Sequence, residues 1–293
     1  MRFLALALFL VSTTAGAVVS AVDSDGRRVT LKAPAQRIVS LAPHVTEQLF
    51  AAGAGGKIVG ASEYSDYPEE AKKLPRVASS GTVNVEMVLS LKPDLVVAWK
   101  LEATAPALTR LESLGIPVFY SEPRRLTQIP GMIEALGELA GTEATAKPLA
   151  RSLRAEILRL EAEYGPRRTI TVFYQISEKP LMTVGGGQFV SDAIDLCGGR
   201  NIFAGSTVMA PVVNLESVVA ADPMAIITAR PDPADKTWEA YWRRFPGLFA
   251  VELGNLYAVP TNEMHRHGPR AIAATRLLCE RIEEARVKAA SRR

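Results

Sequence analysis

The chain has three histidines among its 293 residues, and two of them alternate in the run Glu263-Met264-His265-Arg266-His267. Alternate histidines on a loop can hold a metal or cap a metallo-cofactor; they can equally be solvated loop residues. His44, the third, falls in another loop at a strand end, so a three-histidine metal site is one reading. A single histidine beside a large ligand is the better fit, and no metal site is assigned. Gly53-Ala54-Gly55-Gly56-Lys57-Ile58 has only the outline of a phosphate loop. Ala51 stands where the first glycine belongs, and Ile58 where a Ser or Thr must bind magnesium, so the glycines read as a helix stop. There is no G-x-S-x-G and no tight carboxylate pair for general acid-base work. These absences argue against an enzyme, which would need a nucleophile and base within hydrogen-bond reach in a cleft: no catalytic residue is assigned, and no cofactor of the chain's own. The two cysteines, Cys197 and Cys279, are not arranged C-x-x-C. In an exported chain they read as a disulfide closing a long loop in the second half.

Two aromatics stand where binding walls form. Tyr64 lies in the loop Glu63 to Pro68, and Trp99 follows a buried strand. Aromatics at strand ends either build flat walls for a ligand or pack locally. Two acids are related by position. Glu86 and Glu216 each begin a helix, where a carboxylate suits the dipole. One acidic point per lobe can also be gripped by the arginines of a two-fold partner.

These residues are carried by strands and helices in alternation. Arg37 to Leu41, Lys57 to Ala61, Leu95 to Val97 and Pro117 to Tyr120 are apolar strands separated by helical segments, which implies parallel sheets covered by helices. The second half repeats the theme, with strands at Thr169 to Tyr174, Ala225 to Ile227 and Asn255 to Val259. Ligands bind beyond the carboxyl ends of such strands. NVEMVLSLKPDLVV at 84–97 matches NLESVVAADPMAII at 214–227 with a constant offset of 130 residues. Asn84 pairs with Asn214, Glu86 with Glu216, Val88 with Val218 and Pro93 with Pro223. A domain-sized offset indicates two related lobes rather than a solenoid. Between them, Leu149, Leu153, Ile157, Leu160 and Tyr164 recur at helical spacing, with Thr142 as a capping residue and Gly165-Pro166 as the stop. This predicts a helix over 142–164, about 35 Å long, able to cross a domain.

The expected organisation is a signal peptide at 1–17, an N-terminal α/β lobe at 18–127, linking helices at 128–165 and a C-terminal α/β lobe at 166–293. Arg2 followed by the apolar run Phe3 to Val11 and by Ala15-Gly16-Ala17 is an export signal. Cleavage after Ala17, rather than after Ala21, leaves Val18 to Val22 free to pair with Arg28 to Leu31 across Asp23 to Gly26. No later segment is long and apolar enough to span a bilayer. With 48% apolar residues, 22% charged residues and a net charge of +3 from scattered Lys and Arg, the chain is globular and lacks a nucleic-acid groove.

Taken together, RIVSLAPHVTE at 37–47, YSDYP at 64–68, NVEMVLSLKPDLVVAW at 84–99, LCGGRNIF at 196–203 and PRAI at 269–272 resemble the periplasmic cobalamin-binding proteins of ABC importers, which are helical-backbone substrate-binding proteins. The resemblance runs from about Val29 to Ile282. It implies two Rossmann-like lobes joined by one long interlobe helix, with cobalamin or a related corrinoid in the cleft. Tyr64 then corresponds to a cobalamin-contacting tyrosine and Trp99 to a cleft tryptophan. The segment Asn262, Glu263, Met264, His265 and Arg266 falls where the second lobe touches the corrin. Glu86 and Glu216 match the glutamates that dock onto permease arginines, and Cys197 and Cys279 match the family disulfide. A monomer in the periplasm is implied, working with a permease and ATPase complex of the inner membrane. Departures bear on the ligand. Ser80, Ile176 and Ala210 replace aromatics, and Glu263 and Met264 replace a Trp-Phe pair. His265 is an addition able to reach cobalt or iron. Haem, a ferric siderophore or a metal ion are therefore the alternative cargoes.

Overall fold

A computed structural model describes residues 17–79 and 81–291. The expected signal peptide, Ala17 aside, and Ser80 lie outside the described residues. The expected hairpin forms: β1 (Val19–Val22) pairs antiparallel with β2 (Arg28–Leu31), Val22 opposite Arg28. The turn is closed by the Asp23 carboxylate, which accepts from the backbone N–H of Asp25 and Arg27 and from Arg27 Nε.

The first lobe contains β3 (Ile38–Ser40), α1 (Pro43–Ala51), β4 (Ile58–Ser62), β5 (Arg76–Ser79), β6 (Thr82–Val83), α2 (Val85–Ser90), β7 (Leu95–Ala98), α3 (Ala105–Ser113) and β8 (Val118–Tyr120). They form a sheet of order β6-β5-β4-β3-β7-β8, parallel except for β6. Strands β3, β7 and β8 are buried along their whole length, as covered parallel strands must be. Gly53, after α1, takes φ +82°, the left-handed conformation that ends a helix at low cost for glycine alone.

Two helices follow, α4 (Ile129–Ala140) and α5 (Glu143–Tyr164). The 22 residues of α5 span about 33 Å at 1.5 Å each. Its Ile157 and Leu160 are buried, while Leu149, Leu153 and Tyr164 pack at the edge of the same core. Arg154 forks onto Glu134 of α4 at 2.7 and 2.5 Å, and Arg276, in the closing helix, bonds Glu156. One face thus ties α5 to α4 and another to α11 of the second lobe. The Thr142 hydroxyl does not cap α5; it approaches the Gly137 carbonyl at 3.5 Å, and the Thr142 carbonyl starts the helical hydrogen bonds.

The second lobe contains β9 (Ile170–Glu178), β10 (Leu181–Thr183), α6 (Phe189–Leu196), β11 (Gly199–Asn201), α7 (Leu215–Ala221), β12 (Ala225–Arg230), α8 (Glu239–Trp242), α9 (Phe249–Glu252), β13 (Leu256–Pro260), α10 (Thr261–His265) and α11 (Arg270–Ala290). Its sheet runs β10-β9-β12-β13, with β11 also on β9, and only β10 antiparallel. The segment 260–270, read as a loop, contains the helical turn α10. Cys197, at the end of α6, is bonded to Cys279 of α11.

The internal repeat holds in three dimensions. Asn84 Oδ1 accepts from Met87 N at 2.9 Å, and Asn214 Oδ1 from Ser217 N at 2.8 Å, capping α2 and α7 at the same position. Residues 81–88 and 211–218 have the same residue-by-residue burial. Both helices end on a non-glycine residue with positive φ, Lys92 at +47° and Asp222 at +38°, immediately before Pro93 and Pro223. Lys and Asp share no chemistry there, so the backbone symmetry exceeds the sequence identity.

Candidate interlobe site

In the first lobe, the carboxyl ends of β3, β4, β7 and β8 lead into His44 to Gln48, Tyr64 to Tyr67, Trp99 and Ser121. In the second, β13 leads into Thr261 to Arg270. These segments meet. Glu47, in the first turns of α1, is 1% exposed, and its carboxylate accepts three hydrogen bonds from the other lobe. Arg270 forks onto it, Nε to Oε2 at 3.0 Å and NH2 to Oε1 at 2.7 Å, and Arg266 NH1 adds a bond to Oε1 at 3.1 Å. The same Arg266 nitrogen reaches Asp66 at 2.6 Å, and Arg270 NH1 reaches Glu263 at 2.6 Å. The Arg270 guanidinium also lies over the Tyr67 ring, 3.9 Å from its centroid. Gln48 donates to the His267 carbonyl at 2.6 Å and accepts from the Ser121 hydroxyl at 2.6 Å. A Cβ on Gly268 would sit 3.0 Å from Glu47 Oε2, so the absence of a side chain there lets the carboxylate approach. Burial works to raise the Asp66 carboxyl, but the bond and charge of Arg266 outweigh it and hold Asp66 below the usual range. Burial works against the charge on Arg270, yet the Glu47 bond raises it.

Beside this network the rings converge. His44 and His267 are 5.1 Å apart between centroids, and Trp99 is 5.5 and 5.6 Å from each, all edge to face. Phe189 closes on His267 at 4.5 Å. His44 Nε2 donates to the Ser121 carbonyl at 2.9 Å, the neutral ring acting as donor. Among the described residues, Trp99 Nε1, His267 Nδ1 and Thr261 Oγ1 are buried with no hydrogen-bond partner. A buried unpaired polar atom costs about 1–3 kcal/mol, so this contact is not the best that these groups can make.

The residues singled out in the sequence are dispersed in character. Tyr64 is 68% exposed and adopts φ +61°, so its ring projects from the loop after β4. Trp99 is half-buried in the ring cluster, Asn262 exposed, and Glu263 and Arg266 engaged as described. Met264, expected at the ligand face, is 0% exposed and packs into the core from α10. His265 is turned into its own lobe, with Nε2 3.2 Å from the Tyr174 hydroxyl. The three imidazoles therefore do not converge on one point, and among the described residues no group of three or more His, Cys, Asp and Glu is arranged for a metal ion. Glu86 and Glu216 are exposed in the first turns of α2 and α7. Glu47, Asp66 and Arg270 were not singled out. The available signal was an acid inside a short helix with apolar Val45 and Leu49 around it, which needs a buried cation.

The family described as periplasmic binding protein matches residues 38–241. The vitamin B12-binding protein of Vibrio cholerae serotype O1 is 38% identical over 247 residues, covering 84% of this chain and 88% of that protein. The crystal structure of the periplasmic vitamin B12 binding protein of Vibrio cholerae superposes with a TM-score of 0.79 at 38% identity, covering 86% of this chain and 98% of that one. A periplasmic heme-binding protein from Roseiflexus sp. RS-1 superposes with a TM-score of 0.70 at 25% identity, covering 85% and 98%.

Proposed function

The chain belongs to the periplasmic binding protein family, and on that premise we propose that it is the substrate-binding component of an ABC importer, taking cobalamin or a related corrinoid between its lobes. The observation that carries this is whole-chain similarity, at 38% identity, to a protein named for vitamin B12 binding. The heme-binding relative stands at 25%, and haem or a ferric siderophore is the alternative cargo. We divide the chain into an exported leader at 1–17, an N-terminal lobe at 18–127, linking helices at 128–165 and a C-terminal lobe at 166–293.

In this reading the chain performs no chemistry. The exposed Tyr64 ring offers a face for the corrin, and Trp99 with its unpaired indole N–H lines the inner wall. Asn262, Glu263 and Arg266 supply polar contacts at the second-lobe rim, with His265 and Met264 supporting that rim from beneath. Arg266 is shared between buried Glu47 and half-exposed Asp66, so it can turn from the outer acid to a cargo acceptor while the inner bond holds. Glu86 and Glu216, one per lobe and unpaired by any ion pair among the described residues, are the points on which permease arginines would dock, with ATP hydrolysed on the partner complex. Among the described residues no helix is long and apolar enough to cross a membrane, in keeping with a periplasmic carrier.

Calorimetric titration of the purified mature protein tests the cargo. Cyanocobalamin is expected to bind stoichiometrically, and haem and a ferric siderophore not to compete. Absence of cyanocobalamin binding, with a haem absorption band or siderophore saturation in its place, overturns the assignment.

A further inference from the structure

Two imidazoles from opposite lobes face each other at the innermost part of the lobe contact. His44 stands at the start of α1, and His267 between α10 and α11; both are 3% exposed. Their rings touch edge to face, with Trp99 from the first lobe and Phe189 from the second completing a four-ring cluster. His267 Nδ1 has no partner, and His44 Nε2 bonds to a backbone carbonyl in its own lobe. The ionisable groups around the pair are already matched. From α1 comes Glu47, gripped by Arg266 and Arg270; from the loop after β4, Asp66, held by Arg266, and Tyr67, under Arg270; from α10, Glu263, held by Arg270, and His265, bonded to Tyr174 of β9. After β8 the neighbour is Ser121, neutral. The charge that reaches His44 is the Arg266 cation, not a carboxylate. An imidazolium in this contact keeps the Ser121 carbonyl at His44, but its other neighbours are buried aromatic edges and a like charge.

We propose that His44 and His267 form a proton-operated latch: the lobes stay together while both rings are neutral, and protonation of either parts them and opens the cargo site. The proposal rests on the reading of the interlobe contact as the cargo site. Burial lowers His44 from 6.5 to about 4, with the Ser121 carbonyl bond opposing the shift and the Arg266 charge adding to it. Burial, with His44 and His265 adding to it, lowers His267 to about 3. Both values are depressed in the joined state. The stabilisation from neutral rings is therefore complete above pH 6.5 and is lost as the parted form takes up protons below it, down to the joined-state values. Between pH 7.5 and 5.5 each ring that titrates at 6.5 when parted shifts the open-to-closed ratio about tenfold, so the pair shifts it about a hundredfold at most. Acidification of the compartment would then favour loading and unloading over sequestration.

Amide hydrogen exchange on the mature protein without added corrinoid tests this, so that failure to bind cyanocobalamin leaves the result interpretable. Exchange is followed across residues 264–272 and across β9, corrected for the intrinsic pH dependence of exchange. The expected result is a rise of ten- to a hundredfold in opening across 264–272 from pH 7.5 to 5.5, with β9 unchanged. His267→Phe and His44→Gln, which keep a ring and a donor respectively, should each remove about tenfold of that rise, and the double variant should abolish it. An unchanged opening ratio overturns the latch, as does a rise retained in the double variant. A parallel rise in β9, which marks global acid unfolding, also overturns it.

Discussion

Substituting Glu47→Gln isolates what holds the lobes together. It keeps the shape of the side chain, removes its charge and turns an amide N–H2 toward two guanidiniums. Three hydrogen bonds from charged donors end on this carboxylate, which is 1% exposed, while Arg266 and Arg270 are 12% and 21% exposed. Removing one partner of a buried pair costs about 3–5 kcal/mol. Arg266 keeps Asp66 and Arg270 keeps Glu263, which offsets part of the loss and sets the expectation near the low end, at about 3 kcal/mol. At roughly 2–4 °C per kcal/mol for a chain of this size, the melting temperature should fall by about 6–12 °C. Urea unfolding followed by circular dichroism measures the first number and a thermal scan the second. A double-mutant cycle with Arg270→Gln should give a coupling of about 1–3 kcal/mol. The comparison is Glu163→Gln, which breaks the exposed Arg159–Glu163 pair on α5 and should change stability by less than about 0.5 kcal/mol. If Glu47→Gln is as mild as Glu163→Gln, or strictly additive with Arg270→Gln, the interlobe ion network does not stabilise the joined lobes and the reasoning fails.

Further outcomes follow from other parts of the fold. Replacing both cysteines, Cys197→Ser with Cys279→Ser, opens a loop of 82 residues and should cost about 4.5 kcal/mol in the chain-entropy description, read from urea midpoints. Asn84→Ala and Asn214→Ala each remove one cap and should each cost about 1 kcal/mol, because in both the amide oxygen accepts the backbone N–H three residues on. A large inequality would show that the repeat is not energetically symmetric. Glu86→Ala combined with Glu216→Ala should abolish transport in a reconstituted importer while leaving the cyanocobalamin dissociation constant unchanged; continued uptake removes the docking assignment.

Local patterns carried most of the architecture. Apolar spacing located α5 to within a residue at its start, and the 130-residue offset identified two matching lobes before any coordinates. What escaped was non-local or backbone-encoded. The Glu47–Arg270 fork joins residues 223 apart, and no periodicity relates them. Lys92 and Asp222 differ in chemistry yet share a left-handed backbone, a likeness visible only in φ. The short β10 and β11 are defined by partners on β9 rather than by their own three residues. Thr142 has the residue type of a cap, but its φ of −123° and ψ of 28° fall outside the extended geometry that capping side chains use. The burial of Met264 was hidden for a related reason: the turn of α10, unseen in the sequence, packs it into the core.

The covalent bond between α6 and α11 has a mechanical meaning. Arg270 opens α11, and Cys279 lies nine residues along the same helix, two and a half turns on at about 13 Å. The clamp arginine is therefore mounted on a lever whose pivot is welded to its own lobe. Displacement at the mouth is then shared with the opposite bank, at the start of α1 and the loop bearing Tyr64. A reductant that cuts the weld would free both banks at once and blur the fit for any cargo.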